Sequence, residues 1–199
     1  MVFAGLSFAL AAGGLLVLRG PNGSGKSSLL RLMAGLASPA QGRLAWGGEE
    51  VSRDPDSHGR RVGYLGHLDA VKPVLSATEN LAFWVRYQGE GETSGRIAVA
   101  LERCGLAEQA DSPARFLSAG QRRRLALARL AALRPPLWLL DEPTTALDEQ
   151  GVGMVAALVE EHRAAGGLIA LATHGPWQGP GAATLALADF TPPVGEEEP

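Results

Sequence analysis

Gly20, Pro21, Asn22, Gly23, Ser24, Gly25, Lys26 and Ser27 follow the spacing G-x-x-x-x-G-K-[ST]. The glycines free the backbone to turn consecutive N–H groups inward, which makes a nest for an anion. An apolar, strand-like run at residues 15–18 leads into this loop, and a helix-forming run at 27–33 leaves it. The start of that helix adds partial positive charge at the same spot. Lys26 would reach the β- and γ-phosphates of a nucleotide, and the Ser27 hydroxyl would ligate Mg²⁺. A glycine-rich turn with a chance lysine is the alternative, and the strand-loop-helix context weighs against it.

Two more clusters could act on a phosphate held there. Leu137-Trp138-Leu139-Leu140 is fully apolar and ends in Asp141-Glu142. Such a strand delivers its carboxylates to the carboxyl edge of an open sheet, where ligands bind. Asp141 would hold Mg²⁺ directly or through water, and Glu142 could polarise an attacking water. Leu117-Ser118-Ala119-Gly120-Gln121 precedes a basic, helix-forming stretch at 122–134. Small residues at a helix start leave N–H groups open to a second anion. On physics alone an ordinary N-cap serine is the favoured reading of Ser118.

The elements that must carry these residues alternate. Leu6, Phe8 and Leu10 alternate with small or polar neighbours, which predicts a half-buried strand and then a turn before the strand at 15–18. The helix after the loop should continue through 29–36. A short strand is expected at 43–46, a polar surface loop at 49–59 and an apolar strand at 62–65. Ser76 with Glu79 three residues on is a capping-box pattern, and Leu81, Trp84 and Val85 then share one helical face. A flexible break at 89–95 separates this helix from others at 97–104 and 118–133. A helix at 150–165 precedes a buried strand at 168–173, which ends at His174. Strands alternating with helices predict an α/β fold with a parallel sheet and helices on both faces.

Bulk properties narrow the class. A chain of 199 residues suits one domain with room for a small insertion. Hydrophobic residues make up 46% and charged residues 20%, and the net charge is −3, so no global attraction to nucleic acid or anionic lipid is expected. The only basic run, 122–124, reads as a solvated or phosphate-facing helix turn. The single Cys104 excludes an intrachain disulfide. The four histidines, 58, 67, 162 and 174, show no shared axial-ligand pattern, and no direct haem binding is expected. Residues 1–18 carry no charge but lack a basic leader and are broken by Gly13-Gly14, so neither a signal peptide nor a membrane span is expected.

Taken together, the three motifs resemble those of the ATP-binding cassette (ABC) ATPases. The likeness runs from about Leu6 to His174. Residues 117–121 are similar to the family's signature, 137–142 to its Walker B strand with the adjoining catalytic glutamate, and Thr145-Ala146-Leu147-Asp148 to its D-loop. His174 resembles the switch histidine. The resemblance implies a P-loop NTPase cassette with a RecA-like parallel-sheet core (1–71 and 134–190), an inserted helical subdomain (72–133) and an acidic tail (191–199), together a single domain over 1–199. It implies ATP contacts from Gly20, Pro21, Asn22, Gly23, Ser24, Gly25, Lys26, Ser27 and Ser28, with Mg²⁺ on Ser27 and Asp141. Lys26, Glu142 and His174 would be catalytic. Two copies would associate head to tail, with Leu117, Ser118, Ala119, Gly120 and Gln121 of one reaching ATP in the other.

The pattern departs in three places. His67, after Tyr64-Leu65-Gly66, stands where the family usually carries Gln, and Ala119 replaces a glycine. The family also opens with a strand whose aromatic residue stacks on adenine. This sequence starts just after that point, so an upstream strand is expected to be missing; Phe3 and Phe8 read as core positions. Finer likenesses point to one subfamily. Gly66-His67, Lys72, Leu75-Ser76-Ala77, Glu79-Asn80-Leu81 and Gly166-Gly167 resemble the ATP-binding subunit of the cytochrome c maturation complex, a haem exporter ATPase. That resemblance implies a peripheral protein on the cytoplasmic face of a bacterial inner membrane. Its partner would be an integral membrane permease in a two-plus-two complex, docked beside residues 67–74 and Phe83-Trp84, with a plain helical-core reading of Phe83 and Trp84 standing equally open. An exporter ATPase for another substrate, or a soluble non-transport ABC ATPase, are the competing readings.

Overall fold

Several runs in the chain, among them LLVL, LWLL and LIALA, are too uniformly apolar to keep a wet face, and each lies buried on both sides of a parallel sheet. The computed structural model describes residues 2–89, 94–175, 177, 179 and 181–190. β1 (Leu15–Arg19) leads to α1 (Lys26–Met33). A small hairpin, β2 (Ala45–Trp46) and β3 (Glu49–Glu50), precedes α2 (Pro55–Arg61) and β4 (Val62–Leu65). Three helices follow as a block: α3 (Ala77–Tyr87), α4 (Ser94–Arg103) and α5 (Ala119–Leu133). The chain then returns through β5 (Leu137–Asp141), α6 (Glu149–Ala164), β6 (Leu168–Ala172) and β7 (Ala182–Ala186). The strand order of the main sheet is β4-β5-β6-β1-β7, and every neighbouring pair is parallel.

Alternation along the strands sorts the core into two layers. Leu15, Val17, Trp138, Leu140, Ile169 and Leu171 pack with α3 to α6. Leu16, Leu18, Leu137, Leu139, Ala170 and Ala172 pack on the other face with α1. The period of two in the strands therefore holds the helices on both faces, as expected. Ser76 and Glu79 cap α3 reciprocally: Glu79 N–H donates to Ser76 Oγ at 3.1 Å and Ser76 N–H to Glu79 Oε2 at 2.7 Å. Buried Asn80 accepts from Lys72 N–H at 2.8 Å and donates to Ser76 O at 2.9 Å, which fastens the turn before α3.

Four expectations need correction. Residues 6–10 form no strand and pair with neither sheet; Leu6 and Leu10 instead lean on the α1-side core, while Phe8 is exposed. Residues 49–59 are not a loop but hold β3, a single 3₁₀ turn and α2. Asp54 caps α2 by accepting Ser57 N–H at 3.1 Å, Pro55 opens it, and buried His58 bonds Met33 O at 2.8 Å through Nε2. The helix after the phosphate loop stops at Met33, short of 36, where Gly35 takes φ +72°. β7 has no counterpart among the expected strands; its alanine-rich sequence is a weak strand signal, and pairing with β1 supplies the order. Part of the break at 89–95, residues 90–93, and the tail at 191–199 lie outside the described residues.

Two outcomes follow from the packing. A Cβ on Gly63 would stand 2.6 Å from Pro135 Cγ and 2.7 Å from Leu130 Cδ2, so Gly63→Ala should cost about 1–3 kcal/mol in a denaturant titration. Burial pushes the Cys104 thiol up to about 12, so it should resist maleimide in the folded protein and react once the chain is unfolded in urea.

Candidate active site

Because the strands run parallel, their carboxyl ends share one edge. Leu18 and Asp141 both stand beside Ala172, and Leu65 beside Leu140. The loop after β1 closes over that edge. Gly25 enters α1 at φ +96°, and a Cβ there would meet Val2 Cγ1 at 2.5 Å, so the position requires glycine. No side chain caps α1, which leaves its first-turn N–H groups facing the loop. Lys26 is only 7% exposed, and its Nζ donates to Gly20 O at 2.7 Å and Pro21 O at 3.0 Å. Ser24 Oγ is buried without a partner. Pro21, Asn22, Gly23, Ser27 and Ser28 are exposed.

The end of β5 supplies the acids. Asp141 is 4% exposed. Glu142 takes φ +48°, a left-handed backbone that non-glycine residues rarely adopt and that clusters at functional sites. Its N–H donates to Ala172 O at 2.9 Å. Its Oε1 lies 3.4 Å from His174 Nε2, and its Oε2 accepts from His174 N–H at 3.4 Å. The turn bearing His174 is held by Gly175 N–H to Thr173 Oγ1 at 3.1 Å and by Arg19 Nη1 to Gly175 O at 3.1 Å. Glu142 and His174, far apart in sequence, therefore face each other.

Ser118 and Gln121 satisfy one another. Gln121 N–H donates to Ser118 Oγ at 3.1 Å and Ser118 N–H to Gln121 Oε1 at 2.8 Å. The N-cap reading of Ser118 thus describes the single chain. A Cβ on Gly120 would come 2.9 Å from Ala146 O, so residues 117–121 press on the Ala146-Leu147-Asp148 turn. Arg124 Nη2 donates to Asp148 Oδ1 at 2.7 Å, and Asp148 caps α6 by accepting Gly151 N–H at 2.8 Å. That backbone bond, and then Arg124, hold the Asp148 carboxyl below the usual range. Among the described residues no hydrogen bond or ion pair joins 117–121 to 20–28.

Two arginines of the basic stretch at 122–134 lie inside the protein. Arg123 is 5% exposed and Arg129 is also buried. Arg123 lies four and seven residues before Leu127 and Leu130, both core residues, and that helical phase was the available signal. His67 is exposed on the segment after β4, and Asp69 beside it pairs with Arg123 at 3.0 Å.

Do these residues suit Mg²⁺ and a nucleotide? An uncapped helix start, the orphaned Ser24 hydroxyl and a buried ammonium suit a polyphosphate. The described residues contain no group of three or more His, Cys, Asp or Glu able to hold a metal. Asp141 with the Ser27 hydroxyl suits Mg²⁺, which takes few protein ligands and completes its shell with phosphate and water.

A parallel sheet with a phosphate loop after β1 and paired carboxylates after β5 defines a nucleotide-binding cassette of the P-loop kind. The ABC transporter family profile matches residues 3–145, and the chain belongs to that family. It is 58% identical over 191 residues to the cytochrome c biogenesis ATP-binding export protein CcmA of Rhodospirillum rubrum, covering 96% of this chain and 81% of that protein. The protein of the same name from Paramagnetospirillum magneticum is 56% identical over 201 residues, covering all of this chain and 92% of the relative. Among solved structures, a dimeric post-hydrolysis state of the cassette MJ0796 bound to ADP and Pi superposes with TM-score 0.79 at 26% identity, covering 87% of this chain and 80% of that one.

Lys26→Ala should keep the fold by circular dichroism yet weaken binding of a fluorescent ATP analogue about tenfold or more, the scale of a lost charge-assisted bond.

Proposed function

We propose that the chain is the ATP-hydrolysing subunit of a bacterial membrane transporter serving c-type cytochrome biogenesis, with haem as the exported cargo. The observation that carries the catalytic part is Glu142 facing His174 beside buried Asp141 and the Lys26 loop. The relatives' names supply the biological part.

In this reading Gly20, Pro21, Asn22, Gly23, Ser24, Gly25, Lys26, Ser27 and Ser28 hold the triphosphate, and Lys26 leaves the Gly20 and Pro21 carbonyls to do so. The Ser27 hydroxyl and the Asp141 carboxylate would hold Mg²⁺, which when bound would supply charge neutralisation at the phosphates. Glu142 orients and polarises the attacking water, and His174 steadies the developing charge from the facing side. His67 takes the position of the usual Gln, close to both the site and the partner-facing surface. Two copies close head to tail, so that Leu117, Ser118, Ala119, Gly120 and Gln121 of one complete the nucleotide site of the other. Ser118 would then exchange Gln121 N–H for the nucleotide. Ala146, Leu147 and Asp148 would lie at that junction. The helical block 72–133 and the core formed by 1–71 and 134–190 act as the two parts of one cassette.

The docking face for the membrane partner is the edge beyond β4. Leu68 is 85% exposed and Tyr87 77%, with Val74 and Phe83 exposed as well. Lys72 Nζ sits 4.5 Å from the centre of the Phe83 ring, while Trp84 leans into the core. Apolar side chains bordered by a cation suit an amphipathic helix of a partner. No described helix is long and apolar enough to cross a membrane, which fits a peripheral subunit on the cytoplasmic face of the inner membrane.

Glu142→Gln tests the chemistry. Turnover should fall at least about a hundredfold, the scale of a lost general base, while ATP binding persists and ATP-dependent dimers accumulate in light scattering. Full ATPase activity in that variant would refute the assignment.

A further inference from the structure

The mechanism above makes no use of the best-connected side chain near the site. Arg123, on the second turn of α5, spends all five of its N–H donors. Nη2 donates to Asp141 O at 2.6 Å and Glu142 O at 2.7 Å. Nη1 donates to Gly66 O at 2.9 Å and Asp69 Oδ1 at 3.0 Å, and Nε donates to Pro143 O at 3.4 Å. Five acceptors from two separate loops thus converge on one planar group that is shut off from solvent.

Those acceptors are not arbitrary. Three are the consecutive carbonyls that set the peptide planes around Glu142. That residue has a left-handed backbone, which persists only where its surroundings over-determine it. Ala172 O fixes its N–H, and Arg123 fixes its carbonyl. With both peptides pinned, the direction in which the Glu142 side chain leaves the backbone is set, and its carboxylate meets His174 at the far end. The other two acceptors flank His67 on the segment leading to exposed Leu68 and Val74.

We propose that Arg123 is a positioning residue for hydrolysis: it holds Glu142 in its left-handed turn and ties that turn to the segment 66–69, so that displacement of the segment is felt at the carboxylate. The proposal rests on the catalytic role of Glu142 given above. Lysine cannot replace the guanidinium here, because its three donors radiate from one point and cannot fork to two loops.

The test is a double-mutant cycle on the full chain with Mg²⁺ and ATP. Arg123→Lys should lower kcat about tenfold or more, on the scale of a misplaced reacting group, and leave KM for ATP within about threefold. In a Glu142→Gln background the same change should cost little further, because its target is already gone. Asp69→Asn, at a half-buried position, should lower kcat a few-fold with an unchanged melting temperature. An unchanged kcat in Arg123→Lys, or a full additive loss in the double variant, overturns the proposal. If Arg123→Lys does not fold, Asp69→Asn decides: a lowered kcat at constant KM supports the tie, and wild-type turnover rejects it. A wild-type chain without ATPase activity would count against the proposed function itself, whereas an active wild type sensitive to Glu142→Gln but indifferent to Arg123 sinks only this inference.

Discussion

Parallel pairing is the constraint on which the rest depends. All five strands of the main sheet point one way, so each loop that follows a strand opens at the same edge. The phosphate loop, the segment bearing His67, the Asp141-Glu142 turn and the His174 turn are those loops. An antiparallel strand at any of these places would carry its chemistry to the opposite edge. Parallel strands need crossover connections and two covered faces. The chain meets that need with strands whose two faces are both apolar and with helices on either side.

The same edge shows how the single chain manages strong polar groups. Lys26 is buried, and its charge is met by two carbonyls of its own loop. Ser118 and Gln121 close on each other. The two carbonyls spare the buried Lys26 ammonium the cost of standing without hydrogen bonds, several kcal/mol, while neutral Ser118 and Gln121 only close their own donors. A polyphosphate that entered would therefore replace existing bonds, and its net gain would come from exchanging neutral carbonyls for an anion at Lys26 and from the groups still open. Those are the first-turn N–H groups of α1 and the orphaned Ser24 hydroxyl.

Much of this was legible in the sequence wherever chemistry and local structure agree. The glycines of 20–25 mark a turn and the uncapped helix start that follows it. The apolar run ending in Asp141-Glu142 marks both a buried strand and the sheet edge where its carboxylates stand. Ser76 and Glu79 announced a helix start through a bond made within four residues. What escaped depended on distant partners. Residues 6–10 have an alternating pattern but no strand to pair with. β7 has weak propensity but a strand to pair with. The helix at 55–61 was hidden by its polarity, although Asp54-Pro55 is an N-terminal signal in its own right. Arg123 was grouped with its charged neighbours because a basic triplet looks solvated; only the helical phase, set against Leu127 and Leu130, places it inside.

The two buried arginines give α5 a role beyond carrying Ser118. Arg129, six residues on and about 120° round the helix axis, has its guanidinium 4.9 Å from the centre of the Trp84 ring and donates to Tyr64 O at 2.9 Å. Arg123 grips the loops just past the ends of β4 and β5. The helix is therefore fastened to the sheet at two points six residues apart, about 9 Å along its axis. A rod held at two points cannot swivel freely about either. Motion of its N-terminal end, where Ser118 sits, must then be carried either by the sheet edge moving with it or by one of the two arginines letting go. Trp84 stands beside Phe83 and Tyr87 on α3, so the second fastening also reaches the exposed aromatic face. The Glu142 carboxylate, the Ser118 tip and that face are thus joined through one helix by groups whose bonds break discretely, the kind of connection that switches between arrangements instead of bending.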